Sequence, residues 1–105
     1  QHGLSVELGL IAACDLSERI GFCEKGISQR VREHANEAEM PVNLNDLLNE
    51  TLWEKEALYK RMLHDKKTVN GKINFVLLRE IGNPFVCNEV TQQEVYETLM
   101  QLGAV

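Results

Sequence analysis

The 105-residue chain has no basic run longer than Lys66-Lys67, and its eleven Lys and Arg are outnumbered by sixteen Asp and Glu, for a formal charge of −5. A phosphate backbone demands a concentrated positive face, so this balance argues against a nucleic-acid partner. No apolar stretch approaches the roughly 18 residues a membrane span requires, and no membrane association is expected. Cysteine is sparse: Cys14, Cys23 and Cys87 are odd in number and show no C-x-x-C spacing. A disulfide framework or a zinc knuckle therefore fits poorly, and three reduced, buried thiols in a cytoplasmic protein fit well. The opening Gln1-His2-Gly3-Leu4 lacks an initiator Met and a basic n-region, so it does not read as a signal peptide. It reads as the start of a piece cut from something longer. G-x-G-x-x-G, P-loop, serine-elbow and paired-carboxylate patterns are all missing, as are internal repeats.

What remains is 44% hydrophobic and 26% charged, the usage of an ordinary globular chain, and the length suits a single domain spanning residues 1–105. Residues Leu4 to Ile20 are apolar almost throughout, which predicts a helix contacted on several sides and stopped at Gly21. A more polar helix is expected from Glu24 to Glu39, with Ile27, Val31, Ala35 and Ala38 as a narrow stripe and Pro41 as its end. Asn43 can cap a short turn through Leu47 and Leu48. Thr51-Leu52-Trp53-Glu54 spells a capping box ahead of a third helix, whose inner face would be Leu52, Tyr59, Met62 and Leu63 with Trp53 and Ala57 flanking. Thr68-Val69-Asn70-Gly71 has turn chemistry. Ile73 to Leu78 is β-branched and aromatic enough for a strand, Ile81 to Pro84 breaks it, and Phe85-Val86-Cys87 can pair with it. A second T-x-x-E, Thr91 to Glu94, opens a last helix carrying Val95, Leu99 and Leu102 and closed by Gly103. The expected fold is mainly α, with one small β-hairpin before the final helix.

Three histidines are present. His34, among Arg32 and Glu33, reads as solvated surface. His64 ends a helix beside Asp65, where a cationic imidazole suits the negative end of the dipole. His2 precedes Gly3 and a deeply apolar helix, a setting that fits a metal ligand or an acid-base group and fits a terminal loop equally well. A firmly held metal needs at least three protein ligands, and nothing near His2 completes a set; Glu7 is on the same helix but about a turn and a half away. Lys66-Lys67, at a helix end before a Gly-containing turn, can serve a phosphate or carboxylate, or simply favour a helix C-terminus.

The order of these features resembles a known family. His2-Gly3-Leu4-Ser5-Val6-Glu7-Leu8-Gly9-Leu10 is similar to the H-G-x-x-V-x-x-G signature of the C-terminal domain of 3-dehydroquinate synthase. Met62-Leu63-His64-Asp65-Lys66-Lys67, then Gly71 and Phe75-Val76-Leu77-Leu78-Arg79-Glu80-Ile81-Gly82, resembles that family's M-x-x-D-K-K…G…F-V-L-L-x-x-I-G run. Joined in this order over essentially the whole chain, the pieces are far more specific than H-G-x-x-V alone, which recurs in glycerol-dehydrogenase-like enzymes.

The resemblance implies a lyase of the shikimate pathway to aromatic amino acids. It would convert 3-deoxy-D-arabino-heptulosonate 7-phosphate into 3-dehydroquinate with catalytic NAD and a zinc or cobalt ion. It implies that His2 is the last of three metal ligands, and that Lys66, with Lys67 second, meets the anionic end of the sugar phosphate. The N-terminal nucleotide-binding domain, the upstream carboxylate ligand and the other ligand His are absent from this sequence, so the chain alone is expected to be inactive. Two alternatives are a related sugar-phosphate cyclase and a non-catalytic helical interaction module derived from the same fold. An apolar first helix without its cover predicts exposed apolar surface and self-association into a homo-oligomer.

Overall fold

A computed structural model describes residues 6–47, 52–65, 68–69 and 71–105. Helices α1 (Val6–Ile20), α2 (Ile27–Glu37), α3 (Lys55–Asp65) and α4 (Gln92–Gln101) surround one core, and two antiparallel ladders lie between α3 and α4. These are β1 (Thr68–Val69) with β2 (Lys72–Ile73), and β3 (Phe75–Glu80) with β4 (Asn83–Cys87). The fold is mainly α with a hairpin ahead of the last helix, as the sequence pattern predicts.

The core gathers Leu8 and Ile11 of α1, Ala35 of α2, Leu44, Trp53, Leu58 of α3, and Val95, Leu99 and Leu102 of the α4 region. Removing each large aliphatic side chain from water contributes about 1.5–3 kcal/mol, so this cluster dominates the apolar stabilisation. α1 packs on α2, on β3 and on α4, the several-sided contact its composition calls for. Its cover is incomplete: Val6 is 85% exposed and Leu10 42%.

Helix ends follow local chemistry in most places. Ile20 is followed by Gly21 at φ 101°, and the Phe22 N–H reaches back to the Ser17 carbonyl at 2.8 Å. α2 is shorter than the predicted Glu24–Glu39 span and stops before Pro41 acts. Glu39 takes the left-handed conformation at φ 59°, and the Met40 N–H closes on the Ala35 carbonyl at 2.8 Å. A short 3-10 turn, Leu44–Asp46, is capped by the Asn43 side chain, which accepts the Asn45 N–H at 2.9 Å. α4 carries the capping box its spelling predicts: Thr91 Oγ1 accepts the Glu94 N–H at 3.1 Å, and Glu94 Oε1 accepts the Thr91 N–H at 2.9 Å.

The start of α3 differs from expectation. The helix begins at Lys55, so Glu54 sits outside it and cannot be the fourth residue of a capping box; Thr51 lies outside the described residues. The chain end explains the delay. The Val105 N–H bonds the Trp53 carbonyl at 2.7 Å and the Lys55 N–H bonds the Val105 carbonyl at 2.9 Å, which ties residues 53 and 55 to the C-terminal segment and keeps Trp53 and Glu54 out of the helix. The helix phase shifts accordingly. Trp53 and Leu58 become the buried residues, Tyr59 and Met62 pack beside them, and Leu52 and Leu63 face solvent. Trp53 Nε1 is buried with no hydrogen-bond partner among the described residues, which costs about 1–3 kcal/mol of desolvation.

The predicted strand over Ile73–Leu78 is two strands. Ile73 pairs with Thr68 in the short ladder, whereas Phe75 pairs with Cys87 in the longer hairpin. The turn of that hairpin is only Ile81-Gly82, and Asn83 and Pro84 already belong to β4, where an edge position tolerates a proline. Register slips at Arg79, which has no partner between Leu78↔Pro84 and Glu80↔Asn83. That bulge lays the Arg79 guanidinium over the Phe85 ring, 4.2 Å from its centroid, with Phe22 edge-on to Phe85 at 4.8 Å.

Candidate functional site

The three residues to which the resemblance gives roles, His2, Lys66 and Lys67, lie outside the described residues. Their neighbours along the chain are well defined. α1 begins four residues after His2, α3 ends at Asp65, and β1 starts at Thr68. Leu8 near the start of α1 belongs to the same apolar cluster as Leu58, and Met62, in the last turns of α3, packs against it. The helix that follows the His-Gly motif and the helix that leads into the lysine pair are therefore anchored in one core. The β1–β2 ladder then turns the chain back against α3.

Three polar links hold α1 in place, and none was singled out from the sequence. Ser17 is fully buried; its Oγ donates to the Ala13 carbonyl at 2.6 Å and accepts the Leu78 N–H of β3 at 2.9 Å. Asp15 Oδ2 accepts from the buried Thr98 hydroxyl of α4 at 2.7 Å and from Arg19 Nη2 at 2.9 Å. Glu18 reaches the first turn of α2, where the N-cap Gly26 has no side chain of its own to offer. Its carboxylate accepts the Gly26 N–H at 3.2 Å and, more closely, the Ser28 N–H. Burial would raise the Glu18 carboxyl, but the Ser28 and Gly26 bonds and the charge of Lys25 outweigh it and hold the group below the usual carboxylate value. The signal was a polar residue within a largely apolar helix, and it is strongest at Asp15, whose flanks Cys14 and Leu16 are both buried.

Cys14 and Cys23 carry no reactive signature. Cys14 is fully buried and its thiol is pushed up to about 11, first by desolvation and then by Cys23, Glu18 and Asp15. Cys23 and Cys87 are free but only half-buried, short of the full burial expected of all three. Burial and the nearby Glu18 and Glu24 charges also raise the Cys23 thiol, so it is a poor nucleophile near neutral pH.

His34 is exposed on α2 and His64 on the last turn of α3, in keeping with their surface readings. Glu7 faces α2, where it shares an apolar groove with Arg30 and His34. Among the described residues, no three His, Cys, Asp or Glu side chains converge on a position that could hold a metal. No described helix is long and apolar enough to cross a membrane.

Comparison with known proteins adds what the geometry alone does not. The 3-dehydroquinate synthase C-terminal family matches residues 1–68, a span from the His-Gly motif through the lysine pair. A 3-dehydroquinate synthase of Rhodospirillum rubrum is 38% identical over 93% of this chain, and one of Cereibacter sphaeroides is 39% identical over 95%. That of Ruegeria pomeroyi is 36% identical over 93%. In each case the match covers 26% of the relative, so the chain spans about a quarter of the length of the curated relatives it matches. No solved structure matches it. With its mainly helical core, its hairpin before the last helix and the matched span from His2 to Lys67, the chain belongs to the 3-dehydroquinate synthase C-terminal family.

Proposed function

We propose that this chain is the C-terminal part of an enzyme that converts 3-deoxy-D-arabino-heptulosonate 7-phosphate to 3-dehydroquinate and phosphate, a lyase of aromatic amino-acid biosynthesis working in the cytoplasm. The observation that carries the reading is the family match over residues 1–68, which takes in both candidate binding motifs, together with relatives of that name along nearly the whole chain. The remaining three quarters would contribute a nucleotide-binding domain and the other metal ligands.

His2 supplies one imidazole donor to a divalent metal whose remaining ligands lie upstream. Lys66 meets an anionic substituent of the sugar phosphate as a point charge, and Lys67 supports it. The lysines orient the substrate while its phosphate becomes a leaving group, so their contribution is binding and alignment rather than proton transfer. Bound NAD and zinc or cobalt would supply the transient oxidation and the polarisation of the reacting hydroxyl.

The test is His2→Ala in the full-length protein, with metal content measured after gel filtration and the fold checked by circular dichroism. The expected result is loss of the stoichiometric metal with helicity retained. A variant that keeps both its metal and its turnover rules the assignment out.

A further inference from the structure

α1 and α2 do not close on each other along their full length. A groove of about 490 Å3 runs between them, lined by Leu10, Val31, Ala35 and Ala38 and bounded by Met40 and Ile81. Val6 lies one helical turn before Leu10 on the same face of α1 and extends the exposed apolar stripe. Singly exposed apolar residues are normal, but a contiguous concave set of them marks a surface that another element covers.

We infer that this groove seats an α-helix from the polypeptide upstream of this chain in the longer protein. The inference rests on the chain being the C-terminal portion of that protein, and on neither the metal nor the lysine assignment. Three observations select the occupant.

The long walls are helices whose interior backbone groups bond internally, so they offer no ladder to an extended strand. An element buried there has to satisfy its own N–H and C=O groups, and a helix does so. Most of the polypeptide in the relatives lies outside the matched quarter, so the protein has ample chain to supply one. A second copy is a poor occupant. A twofold interface would set this concavity against itself. Among the other exposed apolar residues, Val76 and Val86 face each other across the β3–β4 ladder and offer no helical ridge to insert. Glu7 on the α1 wall and Arg30 on the α2 wall call for a helix that is apolar along its centre, with a basic group toward α1 and an acidic one toward α2.

The experiment uses the full-length protein with Ala38→Cys or Met40→Cys, and with Gln93→Cys on the exposed face of α4 as reference. Maleimide labelling under native conditions is followed peptide by peptide. The expected outcome is labelling about tenfold or more slower at 38 and 40 than at 93, unchanged on dilution. A benzophenone placed at position 38 should crosslink to an upstream peptide of the same molecule. Equal labelling rates overturn the proposal. So does protection that vanishes on dilution, or a crosslink to a second molecule, because either identifies another copy as the occupant. Dehydroquinate formation by the same preparations reports on the catalytic reading separately. An inactive protein with position 38 shielded would remove that reading and leave the groove's occupant in place.

Discussion

Ser17 Oγ accepts the Leu78 N–H at 2.9 Å, joining the first helix to the long hairpin across 61 positions of sequence. The bond uses the outward edge of β3, where a two-stranded ladder leaves N–H groups unpaired. The hydroxyl also donates to the Ala13 carbonyl, so a residue that reads as a polar interruption of an apolar helix has both its donor and an acceptor engaged. Ser17→Ala removes the acceptor and leaves a buried backbone N–H orphaned. The expected cost is about 1–3 kcal/mol. Equilibrium urea unfolding should show a lower midpoint at unchanged slope; a midpoint equal to that of the parent would mean the hairpin is held by packing alone.

Glu18 caps a helix other than its own, and the pH dependence of that contact follows from the direction of its shift. The folded carboxyl titrates below the ordinary value because the Ser28 and Gly26 N–H groups favour the charged form. A depressed folded value contributes stability that is fully present above the unfolded carboxyl range, near 4.5, and is lost as pH falls through the folded value. Glu18→Gln should therefore cost about 0.5–2 kcal/mol at neutral pH, the size of a helix cap. The difference between parent and variant should shrink on acidification below about pH 4. Parallel stability curves for the two proteins across that range would refute the cap.

Three helix ends close through a left-handed residue, Gly21 after α1, Glu39 after α2 and Gly103 after α4, and the last two make the same backbone closure with different side chains. At Gly103 (φ 106°) an added Cβ would run into the Asn43 carboxamide, the group that caps the 3-10 turn. Gly103→Ala is expected to destabilise by about 1–3 kcal/mol, combining left-handed strain with loss of the Asn43 cap. Glu39 pays the conformational cost that glycine avoids, so Glu39→Gly should raise stability by about 0.5–1 kcal/mol. Thermal melts of the two variants should move in opposite directions, and a shared direction would contradict the closure described for one of them.

The contrast between those two ends shows what the sequence disclosed. Gly21, Gly103, the Asn43 cap and the Thr91–Glu94 box were legible because each is a local device whose chemistry is complete within five or six residues. The start of α3 was not, because the bonds from Val105 to residues 53 and 55 come from the other end of the chain and overrule a well-spelled local signal. The split between β2 and β3 was hidden for a related reason: Ile73 and Phe75 look like one strand until their partners, Thr68 and Cys87, are known. For the site, residue types at His2, Lys66 and Lys67 and their order pointed to the family. At Ser17, Asp15 and Glu18 only the polar residue itself was legible; the partners that fix α1, Leu78, Thr98 and Ser28, were not, because each lies on another element.

The lysine pair offers the sharpest kinetic test of the functional proposal. Lys66 and Lys67 follow directly on α3, whose Leu58 and Met62 are tied into the core, so truncating either lysine should leave the fold untouched. If Lys66 meets an anionic group of the sugar phosphate, Lys66→Ala in the full-length enzyme loses a charge-assisted contact worth about 1.5–3 kcal/mol. That corresponds to roughly a 10- to 150-fold fall in kcat/KM. NAD affinity should stay within about twofold, since the proposal gives the nucleotide to an upstream domain. Lys66→Arg should restore part of the loss, since charge is kept while the compact ammonium is replaced by a planar fork. Lys67→Ala should fall between parent and Lys66→Ala. Were Lys66→Ala to match the parent in kcat/KM, or to lose NAD and substrate affinity equally, the lysine would have no direct part in holding the substrate.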